Sequence, residues 1–224
     1  MNIYYKIVED FGFSVEKDIE SAKILNDLVE NLKNTISLEK VKRIIKDKDV
    51  YILGAGPSIF KHRYRIKNPN VVADGACRAL LEIGKVPDII VSDLDGDIEA
   101  LLECNKKGSV IFVHAHGDNI EKIKKIVPKL KNVVPTHQVP NLKLENLYYF
   151  GGFTDGDRAC YISYHLGAKK LILGGMDFGD KISKYSRNIN KDIDFADEFK
   201  KKKLYYAKYL IELLSKKIDI EFLE

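Results

Sequence analysis

The stretch VVADGACRALLEIGKVPDIIVSDLDGD, residues 71–97, contains a complete repeating unit of the predicted fold. It holds two short apolar runs, VVA (71–73) and IIV (89–91), and the segment Cys77 to Ile83 between them has a helical pattern. Short, uninterrupted, β-branched runs are typical of strands that are buried on both faces. Two such strands joined by a helix form a right-handed βαβ unit, so this stretch predicts a pair of parallel strands.

Similar apolar runs recur on both sides of this unit. Helical patterns lie between many of them, at Asp97 to Cys104, Ile120 to Leu130 and Asp157 to Leu166, and a longer helical pattern starts at Phe195. Alternating strands and helices predict an α/β protein with a doubly wound, mostly parallel, Rossmann-like sheet. The other predicted strands are VYIL (50–53), VIFV (110–113), VV (133–134), YYF (148–150), LIL (171–173) and a closing IDIEF (218–222).

The N-terminal part of the chain has a different pattern. From Ile19 to about Lys46 the apolar residues recur at steps of three and four, as in amphipathic helices, and Ser37 suits the cap of a second helix. A polar run, KDKD, then ends this pattern. We therefore divide the chain into an N-terminal helical segment, residues 1–48, and an α/β catalytic domain, residues 49–224. The apolar stripe of the helices must be covered, either by that domain or by a second copy of the chain in a homo-oligomer.

Composition restricts the class of protein. The 224 residues are 45% hydrophobic, which is enough for one sizeable core, and no apolar run approaches the roughly 20 residues of a membrane span. The first residues lack a signal-peptide pattern, and the three cysteines share no CxxC spacing. A net charge of +4 from 37 basic and 33 acidic residues does not require nucleic acid as a partner. We expect a soluble, cytoplasmic protein.

Polar residues follow most of the predicted strands, and the carboxyl ends of parallel strands share one edge of the sheet, where ligands bind. In SDLDG (92–96), Asp93 and Asp95 are two apart, so an extended chain would place both carboxylates on the same side. Close carboxylates repel each other unless a cation or a proton intervenes, and carboxylates together with substrate phosphates suit Mg²⁺. Helix capping by Asp95 or Asp97 is the alternative, but it leaves Asp93 unexplained.

The loop GAGPS (54–58) is a second candidate. Gly54, Gly56 and Ser58 could bind phosphate through the backbone and the hydroxyl, or the loop could be a plain strand-to-helix turn. Asp74 lies 20 residues after Gly54, where a ribose-binding acid is expected in a dinucleotide fold.

Two further segments carry charged candidates. In TDGDR (154–158), one acid or Thr154 can cap the following helix while Asp155 or Asp157 faces the site, and Arg158 is expected to pair with an acid. The basic residues Lys181, Lys184 and Arg187 follow GMDFGD in a loop that either closes over a polyphosphate or is simply solvated.

The segment HAHGD (114–118) permits a different reading. His114, His116 and Asp118 match the first three ligands of the HxHxDH pattern of zinc metallohydrolases, although Asn119 replaces the final histidine. The alternating strand and helix order argues against this zinc hypothesis, and each histidine could instead be a buried, hydrogen-bonded residue.

The motifs together resemble a known family. Residues 71–97 resemble the thiamin pyrophosphokinase signature, and the chain is more similar still to the archaeal 6-hydroxymethyl-7,8-dihydropterin pyrophosphokinases, whose motifs GAGPS, ADGA, SDLDG, HAHGDN, TDGDRA and GMDFG occur here in the same order over residues 50–188. Motility-associated glycosyltransferases contain a similar module. Ser92 replaces the glycine before the acid pair of thiamin pyrophosphokinases, and only Thr154-Asp155 remains of their DQDxTD block, which disfavours thiamin as the acceptor.

The resemblance implies a thiamin pyrophosphokinase-like catalytic domain that transfers diphosphate from ATP to the hydroxymethyl group of a reduced pterin and releases AMP. A thiamin pyrophosphokinase and a nucleotide-sugar-dependent glycosyltransferase are the alternatives. The implied ligands of Mg²⁺ are Asp93, Asp95 and Asp74, with Asp155 as a further candidate, and the implied acceptor of the hydroxyl proton is Asp155 or Asp118. Phosphate would be bound by Gly54, Gly56, Ser58, Lys181, Lys184 and Arg187. The pterin would be contacted by residues among Asp74, His116, Asn119 and Phe153.

Overall fold

The computed structural model describes residues 2–187 and 189–224. Within them, apolar runs form the central strands, and a small hairpin follows the sixth strand. The strands are β1 (Asp49–Leu53), β2 (Asn70–Ala73), β3 (Ile89–Ser92), β4 (Val110–Ala115), β5 (Val133–His137), β6 (Lys170–Gly174), β7 (Lys181–Ser183), β8 (Ile193–Phe195) and β9 (Asp219–Phe222).

Helices connect most of these strands. They are α1 (Ile3–Phe11), α2 (Val15–Leu32), α3 (Leu38–Ile45), α4 (Ile59–His62), α5 (Ala76–Leu81), α6 (Ile98–Lys106), α7 (Ile120–Ile126), α8 (Asp155–His165) and α9 (Glu198–Leu214), with one turn of 3₁₀-helix at Val127–Lys129.

Seven strands form one sheet in the order β5-β4-β3-β2-β1-β6-β9, and every neighbouring pair is parallel. The predicted doubly wound, mostly parallel α/β sheet is therefore confirmed. Strands β2 to β5 extend to one side of β1, whereas β6 and β9 extend to the other. The order reverses between β1 and β6, and a crevice for ligands is expected outside the carboxyl ends of the strands at such a point.

One predicted strand and one predicted helix start are wrong. Residues 148–150 are not a strand: Tyr148 forms only an isolated bridge to Thr136, and Tyr148 is 38% exposed, because this segment lies outside the edge strand β5. The last helix starts at Glu198 instead of Phe195, since the Asp197 side chain accepts the Lys200 N–H and so caps the helix there.

The N-terminal segment forms three helices, one more than the sequence predicted, and β1 begins four residues after α3 ends. On one face of the sheet, Leu25 and Val29 of α2 belong to the same core as strand residues. On the other face, Val41 and Ile45 of α3 do so. The segment thus covers its apolar stripe by packing on the sheet of its own chain. No helix in the part of the chain described by the structure is long and apolar enough to cross a membrane.

Candidate active site

Four aspartates from separate places in the chain meet at the carboxyl edge of the sheet. Asp74 follows β2, Asp93 and Asp95 follow β3, and Asp155 is the first residue of α8. Each offers one carboxylate oxygen, and these four atoms all lie within 4.8 Å of one another. Among residues 2–187 and 189–224, they are the only group of three or more acidic, His or Cys side chains that is close enough to hold a metal ion.

The loop after β3 brings Asp93 and Asp95 together by a tight turn. The intervening Leu94 has a left-handed backbone with φ 66°, and its side chain is buried in the core. The Leu94 N–H donates to the Ser92 hydroxyl (2.9 Å), and the Asp95 N–H donates to Asp93 Oδ1 (3.3 Å). The expectation of an extended chain was therefore wrong, although the two carboxylates do converge. Burial of Leu94 offsets a conformation that is unfavourable for a branched side chain.

Asp74 is held from two sides. The Ser92 hydroxyl donates a 2.5 Å hydrogen bond to Asp74 Oδ1. A Cβ atom on Gly96 would lie only 1.7 Å from Asp74 Oδ2, so a side chain at this position would displace the carboxylate. The glycine after the acid pair thus provides the space in which Asp74 joins the cluster.

The four carboxylates repel one another when all are ionised. Burial and the charge of Asp93 raise the pKa of Asp74 to about 8 and that of Asp95 to about 6. The same two causes raise the pKa of Asp155 well above its ordinary value. A cation placed among the carboxylates would relieve this repulsion and favour ionisation of all four.

Asp93 is the acid that the protein itself keeps ionised. The Nε2 atom of His116 lies 3.3 Å from Asp93 Oδ2. His116 Nδ1 accepts the N–H of Asp118 (3.2 Å), so Nε2 is the ring nitrogen that faces Asp93. Burial opposes ionisation of Asp93, but the contacts with His116 and Asp95 and the charge of Arg158 outweigh it, and the pKa of Asp93 lies well below its ordinary value. His116, predicted as a substrate contact, lies beside Asp93 in the structure.

The start of α8 separates the roles of its two acids. Thr154 is the N-cap, and Asp157 completes a capping box by accepting the Thr154 N–H at 2.9 Å. Asp155 is therefore free to face the cluster. Arg158, which is 4% exposed, lies 3.4 Å from Asp155 and donates to the Gln138 side chain at 2.8 Å, so the predicted pairing of Arg158 with an acid is confirmed.

The loop GAGPS uses its backbone donors within the protein. The Gly56 N–H donates to the Gly175 carbonyl (2.7 Å), and the Ser58 N–H donates to Asp177 Oδ2 (3.0 Å). A Cβ atom on Gly56 would lie 2.2 Å from Asp177 Oδ2. The structure therefore favours the strand-to-helix turn over the phosphate cradle. Gly54 and Gly56 still line the cavity above the aspartates, but the N–H groups of Gly54, Gly56 and Ser58 already donate within the protein.

The three predicted basic residues separate in the structure. Lys181 lines the cavity above the aspartates. Lys184 forms an ion pair with Asp192 (2.9 Å), and Arg187 forms one with Asp197 (2.5 Å). Both Lys184 and Arg187 line a neighbouring cavity, and each is paired with an acidic residue.

The histidine motif does not form a metal site among the described residues. His114 is buried, with Nδ1 at 3.0 Å from the Thr136 hydroxyl and Nε2 at 3.4 Å from Gln138 Oε1. Asp118 is exposed and lies outside the cavity, so its predicted role as proton acceptor has no geometric support. The chain turns directly after β4, and this turn separates the three side chains that the zinc hypothesis requires.

Asn119, also predicted to contact substrate, has its side chain engaged within the protein. Its amide nitrogen donates to the carbonyl oxygens of Asp93 (2.8 Å) and His114 (2.7 Å), and its oxygen accepts the Ser21 hydroxyl (3.2 Å). The buried Asn119 side chain therefore joins the loops after β3 and β4 to α2, and its hydrogen bonds are made within the protein.

The sequence profile of the 6-hydroxymethylpterin diphosphokinase MptE-like family matches residues 24–183. The chain belongs to this MptE-like family. A 6-hydroxymethyl-7,8-dihydropterin pyrophosphokinase of Methanocaldococcus jannaschii is 63% identical over 99% of this chain and 96% of that protein. Proteins with the same name from Pyrococcus furiosus and Methanothermobacter thermautotrophicus are 42% and 40% identical, over 94% and 97% of this chain and 90% and 94% of their own lengths. Among solved structures, a MAf glycosyltransferase of Magnetospirillum magneticum has a TM-score of 0.48 and 15% identity, over 91% of this chain and 38% of that one.

All four aspartates lie within the residues that match the MptE-like family, whereas α1 and α9 lie outside them. A cavity of about 160 Å³ opens above the aspartates, and α9 forms one of its walls with Lys200 and Lys203. A run of four lysines such as residues 200–203 is by itself typical of a solvated helix face. The spacing of Lys200, Lys203 and Leu204 indicates that they share one helix face, and this is the feature of the sequence that could have identified them. The sequence does not show which part of the protein that face contacts.

Proposed function

We propose that this chain is a diphosphokinase that transfers diphosphate from ATP to the hydroxymethyl group of 6-hydroxymethyl-7,8-dihydropterin, depends on Mg²⁺, and releases AMP. The cluster of four carboxylates at the crevice of the sheet carries the proposal, because it is suited to a divalent ion and its phosphate ligands. Membership of the MptE-like family and the names of the relatives support the pterin as acceptor.

The donor set fits magnesium. It consists of carboxylate oxygen atoms only. Arg158, which forms an ion pair with Asp155, is the arginine that offsets part of their negative charge. We assign Asp93, Asp95 and Asp74 to the ion. When bound, Mg²⁺ would neutralise phosphate oxygens and orient the polyphosphate.

The transfer forms one bond and breaks one. The acceptor hydroxyl oxygen bonds to the β-phosphorus, the bond from that phosphorus to the oxygen bridging it to the α-phosphorus breaks, and AMP leaves with that oxygen. Asp155 is our candidate for the group that accepts the hydroxyl proton, because it comes from α8, whereas the three aspartates assigned to the ion follow β2 and β3. Arg158 holds its carboxylate in place. The remaining task of the protein is to position and neutralise the reactants.

Phe153 is the best placed of the predicted pterin contacts. It lines both the cavity above the aspartates and an adjoining aromatic cavity of about 340 Å³. Its ring packs against Phe11 (5.3 Å between centroids) and Tyr206 (6.2 Å). A flat heterocycle gains from such a wall, and His116 and Asn119 are engaged elsewhere.

The test is incubation of the purified protein with ATP and Mg²⁺, together with either 6-hydroxymethyl-7,8-dihydropterin or thiamin. AMP is followed by chromatography, and the diphosphate ester by phosphorus NMR. We expect AMP and ester in equal amounts with the pterin only, and loss of both on Asp93→Asn. Asp180→Asn is the matched control, because Asp180 is exposed and lies outside the cavity.

Each other outcome contradicts a part of the proposal. Ester formation on thiamin instead of pterin would replace the acceptor. Absence of AMP with both acceptors, combined with binding of a sugar nucleotide, would favour the glycosyltransferase alternative. Full turnover by the Asp93→Asn protein would remove the assigned role of the cluster.

A further inference from the structure

One face of α9 is turned toward the four aspartates. Lys200, Lys203, Leu204 and Ala207 all line the cavity above them, and this spacing places the four residues on one side of a helix. Both lysines are half-buried. Burial and the charge of Lys203 lower the pKa of Lys200, against the attraction of Asp95 and Asp155.

The two ammonium groups have no acidic partner among the residues that the structure describes. No carboxylate oxygen of the described residues lies within 4.0 Å of Nζ of Lys200 or Lys203. The adjacent Lys201, in contrast, forms an ion pair with Glu198 at 2.8 Å. Two partly desolvated cations thus line the cavity that holds the aspartates without forming an ion pair with any of them, which is an arrangement suited to an anionic ligand bound between the lysines and the aspartates.

Both lysines also line a second, larger cavity of about 710 Å³, together with Asp95 and Tyr185 at the junction. Ligand sites for molecules of nucleotide size usually occupy about 300–1,000 Å³. The cavity above the aspartates, about 160 Å³, is too small for a whole nucleotide, whereas the larger cavity is of suitable size. A nucleotide that reaches the aspartates must therefore extend through the junction.

We propose that Lys200 and Lys203 bind the polyphosphate of the nucleotide where it passes from the larger cavity to the aspartate cluster. This inference rests on the proposed function, since a nucleoside triphosphate is the substrate that would connect the two cavities. The lysines neutralise phosphate oxygens on the side away from the aspartates. They take the role that the sequence assigned to the GAGPS loop, to Lys184 and to Arg187.

The position of α9 is stabilised by the N-terminal helix. The Tyr206 hydroxyl donates to the Asp10 carboxylate, and the ring of Phe11 packs against Phe199 (5.2 Å between centroids) and Tyr206 (6.0 Å). Helix α1 thereby holds the lysine face of α9 against the site.

The test measures binding of inorganic tripolyphosphate with Mg²⁺ by isothermal titration calorimetry, in the absence of any acceptor. We expect Lys200→Gln and Lys203→Gln each to weaken binding about ten- to hundredfold, as for loss of one charge-assisted contact. Lys200→Arg, which keeps the charge, should restore most of the affinity. Lys201→Gln on the same helix is the control and should bind like the wild type. In turnover, the glutamine variants should raise KM for ATP and leave KM for the acceptor unchanged.

Unchanged tripolyphosphate affinity in both glutamine variants would overturn the inference, and so would a wild-type protein that does not bind tripolyphosphate. Thermal unfolding of every variant shows whether it is folded. If Lys200→Gln does not fold, Lys203→Gln and Lys200→Arg still decide the question. Lysine-dependent binding without AMP formation would contradict only the proposed function, whereas AMP formation that is insensitive to both lysines would contradict only this inference.

Discussion

The hydroxyl of Ser92, the last residue of β3, donates a 2.5 Å hydrogen bond to the carboxylate of Asp74, which follows the neighbouring strand β2. The same oxygen accepts the N–H of Leu94 at 2.9 Å. One side chain therefore connects two of the loops that supply the aspartates, at the position where Ser92 departs from the glycine of the thiamin pyrophosphokinase signature.

Ser92→Ala should destabilise the protein, because it removes a hydrogen bond to Asp74 and leaves the buried Leu94 N–H without its acceptor. We expect a decrease of about 1–3 kcal/mol in the free energy of unfolding, measured by urea denaturation. Ser215→Ala is the control, since the Ser215 hydroxyl is at the surface, and it should change stability by less than about 0.5 kcal/mol. Equal effects of the two substitutions would show that the Ser92 contact contributes nothing to stability.

Asp95→Asn should stabilise the metal-free protein and abolish its response to Mg²⁺. Asp95 is one of four clustered like charges, so its neutralisation reduces repulsion by about 1 kcal/mol, a value discounted for solvent screening because part of the residue reaches the surface although its carboxylate lies in the cluster. The same change removes a ligand of the proposed ion. The measurement is the midpoint of thermal unfolding at pH 7.5, with and without Mg²⁺.

The wild type and an Asp180→Asn control should both melt at a higher temperature when Mg²⁺ is added, since a ligand that binds the folded state stabilises it. A magnesium-induced increase of the same size in the Asp95→Asn protein would contradict the assignment of Asp95 to the ion.

His137 should make the protein less stable in mild acid. Its side chain is buried at the end of β5, and burial lowers its pKa from 6.5 to about 4. The unfolded chain therefore binds a proton at a pH where the folded protein does not, so the His137 contribution is fully present above pH 6.5 and is lost as the pH falls toward 4. Near pH 5 this corresponds to about 1.4 kcal/mol per pH unit.

His137→Phe tests this effect, because phenylalanine preserves an aromatic ring and cannot be protonated. Urea denaturation at several values between about pH 4.5 and 7, a window that includes the ordinary pKa of histidine and extends about two units below it, gives the pH dependence of the free energy of unfolding. The slope should be smaller in the variant than in the wild type. Identical slopes would mean that His137 is protonated alike in the folded and unfolded chains.

Gly56→Ala should destabilise the contact between the loops that follow β1 and β6. The new methyl group would lie 2.2 Å from Asp177 Oδ2 and 2.8 Å from the Gly175 carbonyl oxygen, so the backbone of one loop must move. We expect a loss of about 1–3 kcal/mol, as for overpacking elsewhere. Gly179→Ala in the same second loop is the control, because no atom lies within 4 Å of its added Cβ. Denaturation of the two variants side by side shows whether the close approach at Gly56 is responsible.

Local patterns predicted the sheet and the position of the site. Six of the predicted apolar runs form β1 to β6, because a strand buried on both faces is apolar along most of its length, and the more polar IDIEF run forms the exposed β9. The acids after β2 and β3 were expected at one edge, since parallel strands end on the same side, and Asp74, Asp93, Asp95 and Asp155 do meet there.

Local patterns could not identify which neighbour each polar side chain meets. Asn119 and His116 looked like ligand-binding residues, but one joins three segments and the other contacts Asp93, and both depend on atoms far away along the chain. The aromatic run 148–150 had strand-like composition but lies outside the edge of the sheet.

The clearest example of this division is Lys200. The apolar residues around Lys200 recur at helical spacing, so the sequence alone predicts helix α9. The direction of the Lys200 side chain depends on where α9 packs, and that depends on contacts with α1, almost 200 residues earlier. Periodicity reports which residues share a face of a helix, whereas packing between distant segments determines whether that face meets water or the aspartates.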